Sequence, residues 1–243
     1  MKTIINQKLI DRNKKLSMVL FFASMAVLIF GAYLAWPGTV DVSRTVYSWI
    51  ALMIGFILTR ISIYFTARFG QTPRYDEVVG QVIEKLRSEY TYFVYSTPVP
   101  MLLLGPCRLW LPILVTSSGT INYVDGKWKH TGVNFLKRFM GQESIADPEK
   151  DASEAIAAIQ KQLILQGIPL EEQPQIQPIL IVMMKNTFIG EVKDAPYPVV
   201  LINDFKRLIR KMDRENCTNP LIPERTEKVT DALIAGKMVN INS

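Results

Sequence analysis

Asp125 and Lys127 are the two residues of this chain whose types and spacing best suit chemistry, and they directly follow a β-rich run. Side chains two positions apart on a strand lie on the same face of a sheet. A carboxylate there can hold a divalent cation while a lysine orients water or a phosphate, an arrangement that metal-dependent nucleases use. A hairpin turn formed by Asp125, Gly126 and Lys127 accounts for the same residues without chemistry. The motif therefore predicts a metal site or a turn, and the surrounding elements must decide between them.

The residues before this motif predict a β-hairpin. Residues 111–116 form an apolar run of strand length, and residues 120–124 form another. Between them lie Ser117, Ser118 and Gly119, and glycine accepts a positive φ without steric cost, as tight hairpin turns require. The sequence therefore predicts two antiparallel strands, with Asp125 at the end of the second.

Histidine and cysteine offer little additional chemistry. The chain contains one histidine, His130, and two cysteines, Cys107 and Cys217, which are far apart and show no metal-ligand spacing. A histidine-rich metal centre is therefore not expected, and neither is a Ser-His-Asp triad. In a cytoplasmic domain the two thiols should be free.

Two long apolar stretches account for the apolar content of 49%, which is high for a soluble chain. Residues 18–36 contain no charged residue, and residues 46–66 contain only Arg60. Each stretch is about long enough to cross a bilayer. The first is too long for a signal peptide and shows no small-residue cleavage pattern, so the pair predicts a transmembrane helical hairpin. Gly31 and Gly55 would allow the helices of a protein partner to approach closely.

The distribution of basic residues predicts the orientation of this hairpin. Residues 1–17 contain five basic residues and one acidic residue, whereas the loop at residues 37–45 contains one of each. Lysine and arginine concentrate on the cytoplasmic side of membrane proteins. The chain is therefore predicted to be a multi-pass protein of the cell (inner) membrane, with its amino terminus and its carboxy-terminal domain in the cytoplasm.

Four side chains are predicted to anchor the hairpin in the lipid bilayer. Trp36, Tyr47 and Trp49 stand where an interfacial aromatic belt belongs. Arg60 lies near the cytoplasmic end of the second stretch, where a long arginine side chain usually extends to the headgroups. An intramembrane arginine can also be functional, and the sequence leaves that alternative open.

The chain is predicted to consist of a basic tail at 1–17, the hairpin at 18–69, a mixed α/β domain at 70–213 and a polar tail at 214–243. The elements of the α/β domain follow the order α-β-β-β-α-β, and then come a short strand and a helix. The predicted elements are a helix at 74–90, strands at 91–97, 111–116 and 120–124, a loop at 98–110, a helix from Asp147-Pro148 to Gly167, strands at 178–184 and 198–202, a helix capped by Asn203 or Asp204 and running to Met212, and a short helix near 224–234. The fully apolar run at 178–184 should lie at the centre of the sheet.

A second group of residues could bind a polyanion. The basic residues around the predicted hairpin are Arg108, Lys129, Lys137 and Arg138. Phosphate backbones attract such clusters in a salt-dependent way. Much of the net charge of +6 serves membrane topology, so nucleic acid is the weaker of the predicted partners.

In element order and in motifs, residues 74–212 resemble the nuclease-related domain (NERD) family, a branch of the restriction-endonuclease-like fold that is often attached to membrane helices in bacteria. Asp76 or Glu77 fits the first acid of the family, Ser117-Ser118-Gly119 its Gly turn, and Asp125-Gly126-Lys127 its Glu-x-Lys motif. Asp147-Pro148 fits the Asn-Pro start of its helix. The resemblance implies a membrane-tethered, Mg²⁺-dependent nuclease with Asp76, Glu77, Asp125 and Lys127 as catalytic residues.

Three departures from the family pattern weaken the catalytic implication. Leu111-Pro112 stands where the family has a metal-binding strand acid, Asp125 replaces a longer Glu, and Asp151 replaces a Gln. Leucine offers Mg²⁺ no oxygen ligand, and loss of a metal-holding carboxylate removes most of the stabilisation that phosphodiester cleavage needs. We therefore expect a catalytically degenerate domain without a cofactor. It would act as a binding or scaffolding module, or as an accessory subunit that contacts a protein partner through its helices or its α/β domain.

Overall fold

The computed structural model describes residues 1–36, 42–132, 147–217, 220–237 and 240–242. The chain forms two compact units, one made of Gln7–Tyr75 and one that combines Met1–Asn6 with Asp76–Ser243. The predicted class is confirmed: a mixed α/β protein with two long apolar helices near the amino terminus. The chain therefore leaves the α/β unit after six residues, forms the helical unit and then returns.

The helical unit is a hairpin of two helices, α1 (Gln7–Leu34) and α2 (Val42–Phe65), and α2 continues into a π-helical segment at Thr66–Gly70. Both helices are long and apolar enough to cross a membrane. Because α1 begins at Gln7, the predicted basic tail at residues 1–17 is divided between a strand and the first turns of this helix.

The two helices pack through small buried side chains that recur every seven residues. On α1 these are Ser17, Ser24 and Gly31, and on α2 they are Ser48, Gly55 and Ser62. Seven residues are about two helical turns, so each set forms one stripe. The Ser48 hydroxyl donates a 2.9 Å hydrogen bond to the Gly31 carbonyl. A Cβ atom at Gly55 would lie 2.7 Å from Leu28 Cδ2, so a larger residue there would displace the Leu28 side chain. The two glycines that were predicted to admit partner helices thus serve the contact between α1 and α2.

The described residues of the α/β unit form two sheets. Its strands are β1 (Lys2–Ile5), β2 (Thr91–Val94), β3 (Met101–Leu104), β4 (Arg108–Val115), β5 (Gly119–Val124), β6 (Lys127–Thr131), β7 (Gln175–Val182), β8 (Thr187–Ile189), β9 (Val199–Leu201) and β10 (Asn240–Asn242). Its helices are α3 (Tyr75–Ile83), α4 (Pro148–Leu165), α5 (Ile202–Asn216) and α6 (Pro223–Ile234), with a 3-10 turn at Leu170–Glu172. One sheet has seven strands in the order β10-β1-β2-β3-β4-β7-β9, and the other has three in the order β6-β5-β8.

The middle of the larger sheet has the connectivity that the sequence predicts, but it uses different strands. β2, β3 and β4 form an antiparallel meander. The connection from β4 to β7 contains β5, β6 and α4, and β7 pairs parallel to β4. The predicted loop at 98–110 contains β3 and the start of β4, and the helix predicted at 74–90 ends at Ile83. The described elements run α3, β2, β3, β4, β5, β6, α4 and β7, so the predicted order α-β-β-β-α-β is obtained only if β5 and β6, which belong to the smaller sheet, are left out.

The hairpin predicted around Gly119 is wrong. β4 and β5 lie in different sheets, and β5 pairs instead with β6 across Asp125-Gly126. Gly119 has a φ of +118°, and a Cβ atom there would collide with the carbonyl oxygen of Thr131. Glycine is required here because the chain passes from one sheet to the other immediately beside β6.

The first strand of the chain, β1, precedes the helical hairpin and yet lies inside the larger sheet. It pairs parallel with β2 and antiparallel with β10, and Ile4 is fully buried. The Asn6 N–H extends this pairing with a 3.0 Å hydrogen bond to the Val94 carbonyl. Residues 214–243, predicted as a tail, supply α6 and β10 to the same unit. Segments from both ends of the chain are therefore parts of one domain.

α4 and β7 are the elements for which local sequence signals were strongest. The Asp147 side chain caps α4 by accepting hydrogen bonds from the backbone N–H groups of Glu149 at 3.1 Å and Lys150 at 3.4 Å. The inner face of α4 packs on the core through Ala152, Ile159 and Leu163. Residues 179–182 of β7 are at most 1% exposed, although β7 lies one strand from the edge of the sheet and not at its centre. α5 begins at Ile202, ahead of its predicted caps and without a side-chain cap.

We expect Ile181→Asp to prevent folding of the α/β unit, because it would bury an unpaired carboxylate at a fully buried position. Ile181→Val, which removes one methyl group, should cost only about 1 kcal/mol. Thermal unfolding of the two purified variants, followed by circular dichroism, measures the difference. A cooperative transition of Ile181→Asp at the parent temperature would contradict the burial of β7.

Candidate functional site

Asp125 occupies a turn, and its backbone conformation explains why. Asp125 and Gly126 have φ values of +56° and +69°, and they link Val124 to Lys127, which are paired residues of β5 and β6. Two successive left-handed residues match the twist of the flanking strands, and Asp-Gly is one of the preferred sequences for this turn. Asp125 is therefore a turn residue and not the strand-borne carboxylate of the metal-site interpretation.

The Asp125 carboxylate makes an exposed ion pair with Lys129. The Lys129 Nζ atom lies 2.9 Å from Asp125 Oδ2, and the two side chains are 50% and 79% exposed. Exposed pairs of this kind contribute less than about 1 kcal/mol. Lys127 is exposed at the start of β6. These contacts fit the turn interpretation that the sequence left open.

The other two candidate acids lie in a different part of the unit. Asp76 and Glu77 are in the first turn of α3, and Asp76 is buried. The Asp76 carbonyl accepts a 3.1 Å hydrogen bond from the Tyr92 hydroxyl, which ties α3 to the larger sheet. Asp125 lies at the tip of a hairpin in the smaller sheet. In the part of the chain that the structure describes, no three His, Cys, Asp or Glu side chains are grouped as metal ligands would be.

The predicted polyanion ligands are not assembled as a surface by the described residues. Arg108 is 5% exposed, and its guanidinium lies 5.3 Å from the centroid of the Trp110 ring. Lys129 is paired with Asp125, while Lys137 and Arg138 lie outside the described residues. Arg108 is therefore a buried residue and presents no charge at the surface.

The predicted membrane anchors are exposed on the helical unit. Trp36, Tyr47 and Trp49 are between 63% and 76% exposed. The Arg60 guanidinium lies 5.3 Å from the centroid of the Phe56 ring, about one turn earlier on α2. A cation over an aromatic face is attracted to it. The three aromatic side chains are thus accessible to a lipid interface.

A buried polar cluster centres on Asp213, a residue of α5. Its carboxylate accepts hydrogen bonds from the Tyr90 hydroxyl at 2.6 Å and from the Trp110 indole N–H at 3.3 Å. The Arg108 Nε atom lies 3.5 Å from its other oxygen, and both charged side chains are at most 6% exposed. Gly105 leaves the room for this cluster, because a Cβ atom there would lie 3.1 Å from Asp213 Oδ2. The Asp213 cluster therefore joins α5 to β4 and to the segment before β2.

Burial and hydrogen bonding shift the pKa values within the Asp213 cluster. Burial raises the pKa of Asp213, and the hydrogen bonds from Tyr90 and Trp110 and the charge of Arg108 oppose that shift. Burial also raises the pKa of Tyr90, and its hydrogen bond to Asp213 and the charge of that carboxylate raise it further. Tyr90 therefore remains a hydrogen-bond donor at physiological pH. A carboxylate enclosed by such donors anchors structure and is not an accessible acid or base.

A disulfide bond lies next to the Asp213 cluster. Cys107, directly before β4, is bonded to Cys217, directly after α5, and their Cα atoms are 5.6 Å apart. The expectation of free thiols is therefore wrong, and the observed separation is usual for disulfides. The bond joins residues that are 110 positions apart, so it strongly restricts the unfolded chain. Asp213 and Cys217 together hold the last turn of α5 against β4.

Sequence reasoning missed the Asp213 cluster although one signal for it was present. Phe205, Ile209 and Asp213 recur every four residues, so Asp213 lies on the face of α5 that two buried apolar residues define. An acid on such a face needs buried partners. The residues that supply them, Tyr90 and Arg108, are more than 100 positions away, and no local pattern identifies them.

The described geometry defines a mixed α/β domain whose chain includes an apolar helical hairpin. Comparison of the chain with family models, with curated proteins and with solved structures finds no match. What the protein does is therefore argued below from its own residues.

We expect Tyr90→Phe to destabilise the α/β unit by about 1.5–3 kcal/mol near pH 7, because a buried charge loses a hydrogen bond. The loss should shrink as the pH falls. The pKa of Asp213 in the folded domain lies above its unfolded value of about 3.9. At a pH above the folded pKa the ionised carboxylate therefore destabilises the fold. At a pH below the unfolded pKa the side chain is protonated in both states, and this effect is absent. Removing the Tyr90 donor raises the folded pKa further and adds a cost only while Asp213 is ionised.

Chemical unfolding of the parent and of Tyr90→Phe, at neutral pH and near the ordinary pKa of aspartate, measures this change. Ser96→Ala is the matched control, because it removes a buried hydrogen bond of 3.0 Å to the neutral Ile4 carbonyl and should cost the same at both pH values. A Tyr90→Phe cost that is independent of pH would show that Asp213 is not ionised in the folded domain.

Reduction of the disulfide should lower the free energy of unfolding by about 2–4 kcal/mol, because the reduced chain regains the entropy of a long loop. Denaturant unfolding with and without dithiothreitol measures the loss. The double variant Cys107→Ser/Cys217→Ser should match the reduced parent and should not respond to dithiothreitol. Equal stability of the parent under both conditions would contradict the bond.

Proposed function

We propose that this chain is a multi-pass inner-membrane protein whose α/β domain binds a partner and has lost nuclease chemistry. The observation that carries the proposal is the position of β1, a strand that precedes the apolar hairpin and pairs with a strand that follows it. A domain threaded in this way has two covalent connections to the hairpin. Such a double connection suits a binding or scaffolding module, or an accessory subunit of a membrane complex.

The outer surface of the hairpin supports a place in the lipid bilayer. Large apolar side chains that are more than half exposed include Phe21, Phe22, Ile29, Met53 and Phe56. A continuous apolar surface of this kind would promote association in water, whereas lipid chains solvate it. Trp36, Tyr47 and Trp49 would then lie in the interfacial belt.

We place both ends of the hairpin on the cytoplasmic side. Because β1 pairs with β2, the residues before and after the hairpin share one side of any bilayer that it crosses. Residues 1–17 and Arg68 and Arg74 supply the basic residues that favour the cytoplasm. The Cys107–Cys217 bond favours an oxidising compartment, and the outer face of the membrane is therefore the alternative location. In the cytoplasm this bond would form only under oxidising conditions.

The meander followed by a helical crossover supports a restriction-endonuclease-like domain related to the NERD family. The strand acids of that family would lie on the meander. Here β3 reads MLLL and β4 reads RLWLPILV, so neither strand carries a carboxylate for Mg²⁺. Asp125 lies in a turn of the other sheet. The alternative, a tethered Mg²⁺-dependent nuclease, requires Asp76, Glu77, Asp125 and Lys127 to meet at one site.

Full-length protein should remain with the membrane pellet after extraction at alkaline pH, because two apolar helices hold it there. Ser243→Cys, introduced into Cys107→Ser/Cys217→Ser, should resist an impermeant maleimide in intact cells and react after lysis. Release at alkaline pH would refute membrane insertion. Retention combined with ready labelling in intact cells would keep the insertion and move the domain to the outer face.

The purified full-length protein should show no Mg²⁺- or Mn²⁺-dependent cleavage of DNA or RNA above background. The matched variants are Lys127→Ala and Asp125→Asn, since asparagine tolerates the φ of +56° at which alanine would be strained. Gel assays with labelled substrates measure the activity. Metal-dependent cleavage that both variants abolish would establish the nuclease instead.

A further inference from the structure

The solvent-facing side of α5 concentrates positive charge. Five basic residues line one shallow groove on this helix, together with Asn203 and Glu215: Lys206, Arg207, Arg210, Lys211 and Arg214. At about 1.5 Å per residue, the five span roughly 12 Å along the helix. We call these five residues the α5 basic face.

Little of this charge is neutralised by neighbouring acids. Among the described residues, Arg207 is the one member of the α5 basic face with an ion pair, at 3.0 Å to Asp204. Arg210 donates a 2.7 Å hydrogen bond to the backbone carbonyl of Lys85, which brings a sixth cation nearby. Local burial lowers the pKa of Lys206, and the positive charges of Arg210 and Lys85 lower it further. The α5 basic face is therefore a region of positive potential that an anionic partner would relieve.

Apart from the hydrogen bond of Arg210 to Lys85, the described tertiary contacts of α5 do not use these charges. α5 packs on the core through Phe205 and Ile209, which are fully buried, and its end is held by Asp213 and Cys217. Like charges four residues apart, such as Lys206 and Arg210, destabilise a helix. A set of cations that repel one another and lie outside the buried core points to a binding role.

The chemistry of the α5 basic face suits phosphate groups at a surface. Arginine binds phosphate oxygens in pairs, and lysine adds point charge. The face contains no aromatic side chain on which a single-stranded base could stack. The apolar side of α5 is buried in the domain, so the helix can attach to a lipid surface through charge but cannot insert its own apolar face into it.

We propose that the α5 basic face docks on the anionic phospholipid headgroups of the bilayer that holds the hairpin. This inference rests on the proposed function, because a tether of two chain segments keeps the headgroups at high effective concentration. Basic side chains near an anionic leaflet are attracted over about one Debye length, roughly 10 Å at 0.1 M salt. Docking would fix the orientation of the domain on the membrane and so define which surface remains for a protein partner.

The test uses full-length protein in nanodiscs of phosphatidylcholine alone or mixed with phosphatidylglycerol. Acetylation rates of Lys206 and Lys211, read by mass spectrometry, report how accessible the α5 basic face is. Lys161, exposed on α4, is the internal reference. We expect Lys206 and Lys211 to react several-fold more slowly in the anionic discs, and the difference to vanish at high salt, where screening shortens to about 3 Å.

Two double variants distinguish an effect of the α5 basic face from an effect of the net charge of the protein. Arg207→Gln/Arg214→Gln removes two cations from the α5 basic face and should weaken docking roughly 30-fold, so protection of Lys206 and Lys211 is lost. Lys150→Gln/Lys228→Gln removes the same charge from exposed sites on α4 and α6 and should leave protection unchanged. Protection that survives the first pair, or that is lost equally with both, overturns the proposal.

The remaining outcomes are also decisive. Equal acetylation rates in the two kinds of disc overturn lipid docking. If duplex DNA or RNA added to the neutral discs protects Lys206 and Lys211, and anionic lipid does not, the α5 basic face is a nucleic-acid surface and lipid docking is overturned. If the protein does not incorporate into the discs, the proposed membrane anchoring is refuted. This outcome differs from failure of the docking proposal, in which the protein incorporates but Lys206 and Lys211 are not protected.

Discussion

The parallel pairing of β1 with β2 is the constraint on which the rest of the structure depends. Parallel neighbours require a crossover connection, and here the crossover contains the entire helical hairpin and α3. Only Asn6 separates β1 from α1, and β10 covers the other edge of β1. The α/β unit is therefore formed from chain segments on both sides of the hairpin, and removing the hairpin together with the segment before it would also remove an interior strand.

Local signals predicted the elements that adjacent residues determine and missed those that depend on distant partners. β7 is a continuous apolar run, and α4 has a capping aspartate at its start and a left-handed glycine, Gly167, after its end. β1 consists of four residues in a basic segment, and its partners follow more than 80 positions later. The prolines around β3 suggested a loop, but they flank the strand without interrupting it. The sequence has turn signals at Gly119 and at Asp125-Gly126. The observed hairpin turn lies at Asp125-Gly126, where two successive residues have a left-handed conformation.

For the candidate site, residue types were readable from the sequence but burial was not. Arg108 has the sequence context of a surface cation, and it is buried because Asp213 and Trp110 enclose it. Asp76 lies on α3, which Tyr92 ties to the larger sheet, whereas Asp125 lies in a turn of the smaller sheet. Conversely, the charges of the α5 basic face form one surface because buried Phe205 and Ile209 fix how the helix is rotated. Tertiary contacts over more than 100 residues decided which charges face the solvent.

The position of β1 also has a consequence for how the protein is made. β1 is synthesised before the hairpin, but its neighbours in the sheet, β2 and β10, are synthesised only after the hairpin has been completed. A chain whose hairpin inserted with its two ends on opposite sides of a bilayer would leave β1 separated from both neighbours. Its sheet would then lack a strand and expose the edge of β2, a state open to aggregation and proteolysis. In the membrane protein proposed above, completion of this sheet would therefore act as a check on the topology of insertion, so that only correctly inserted chains would become stable.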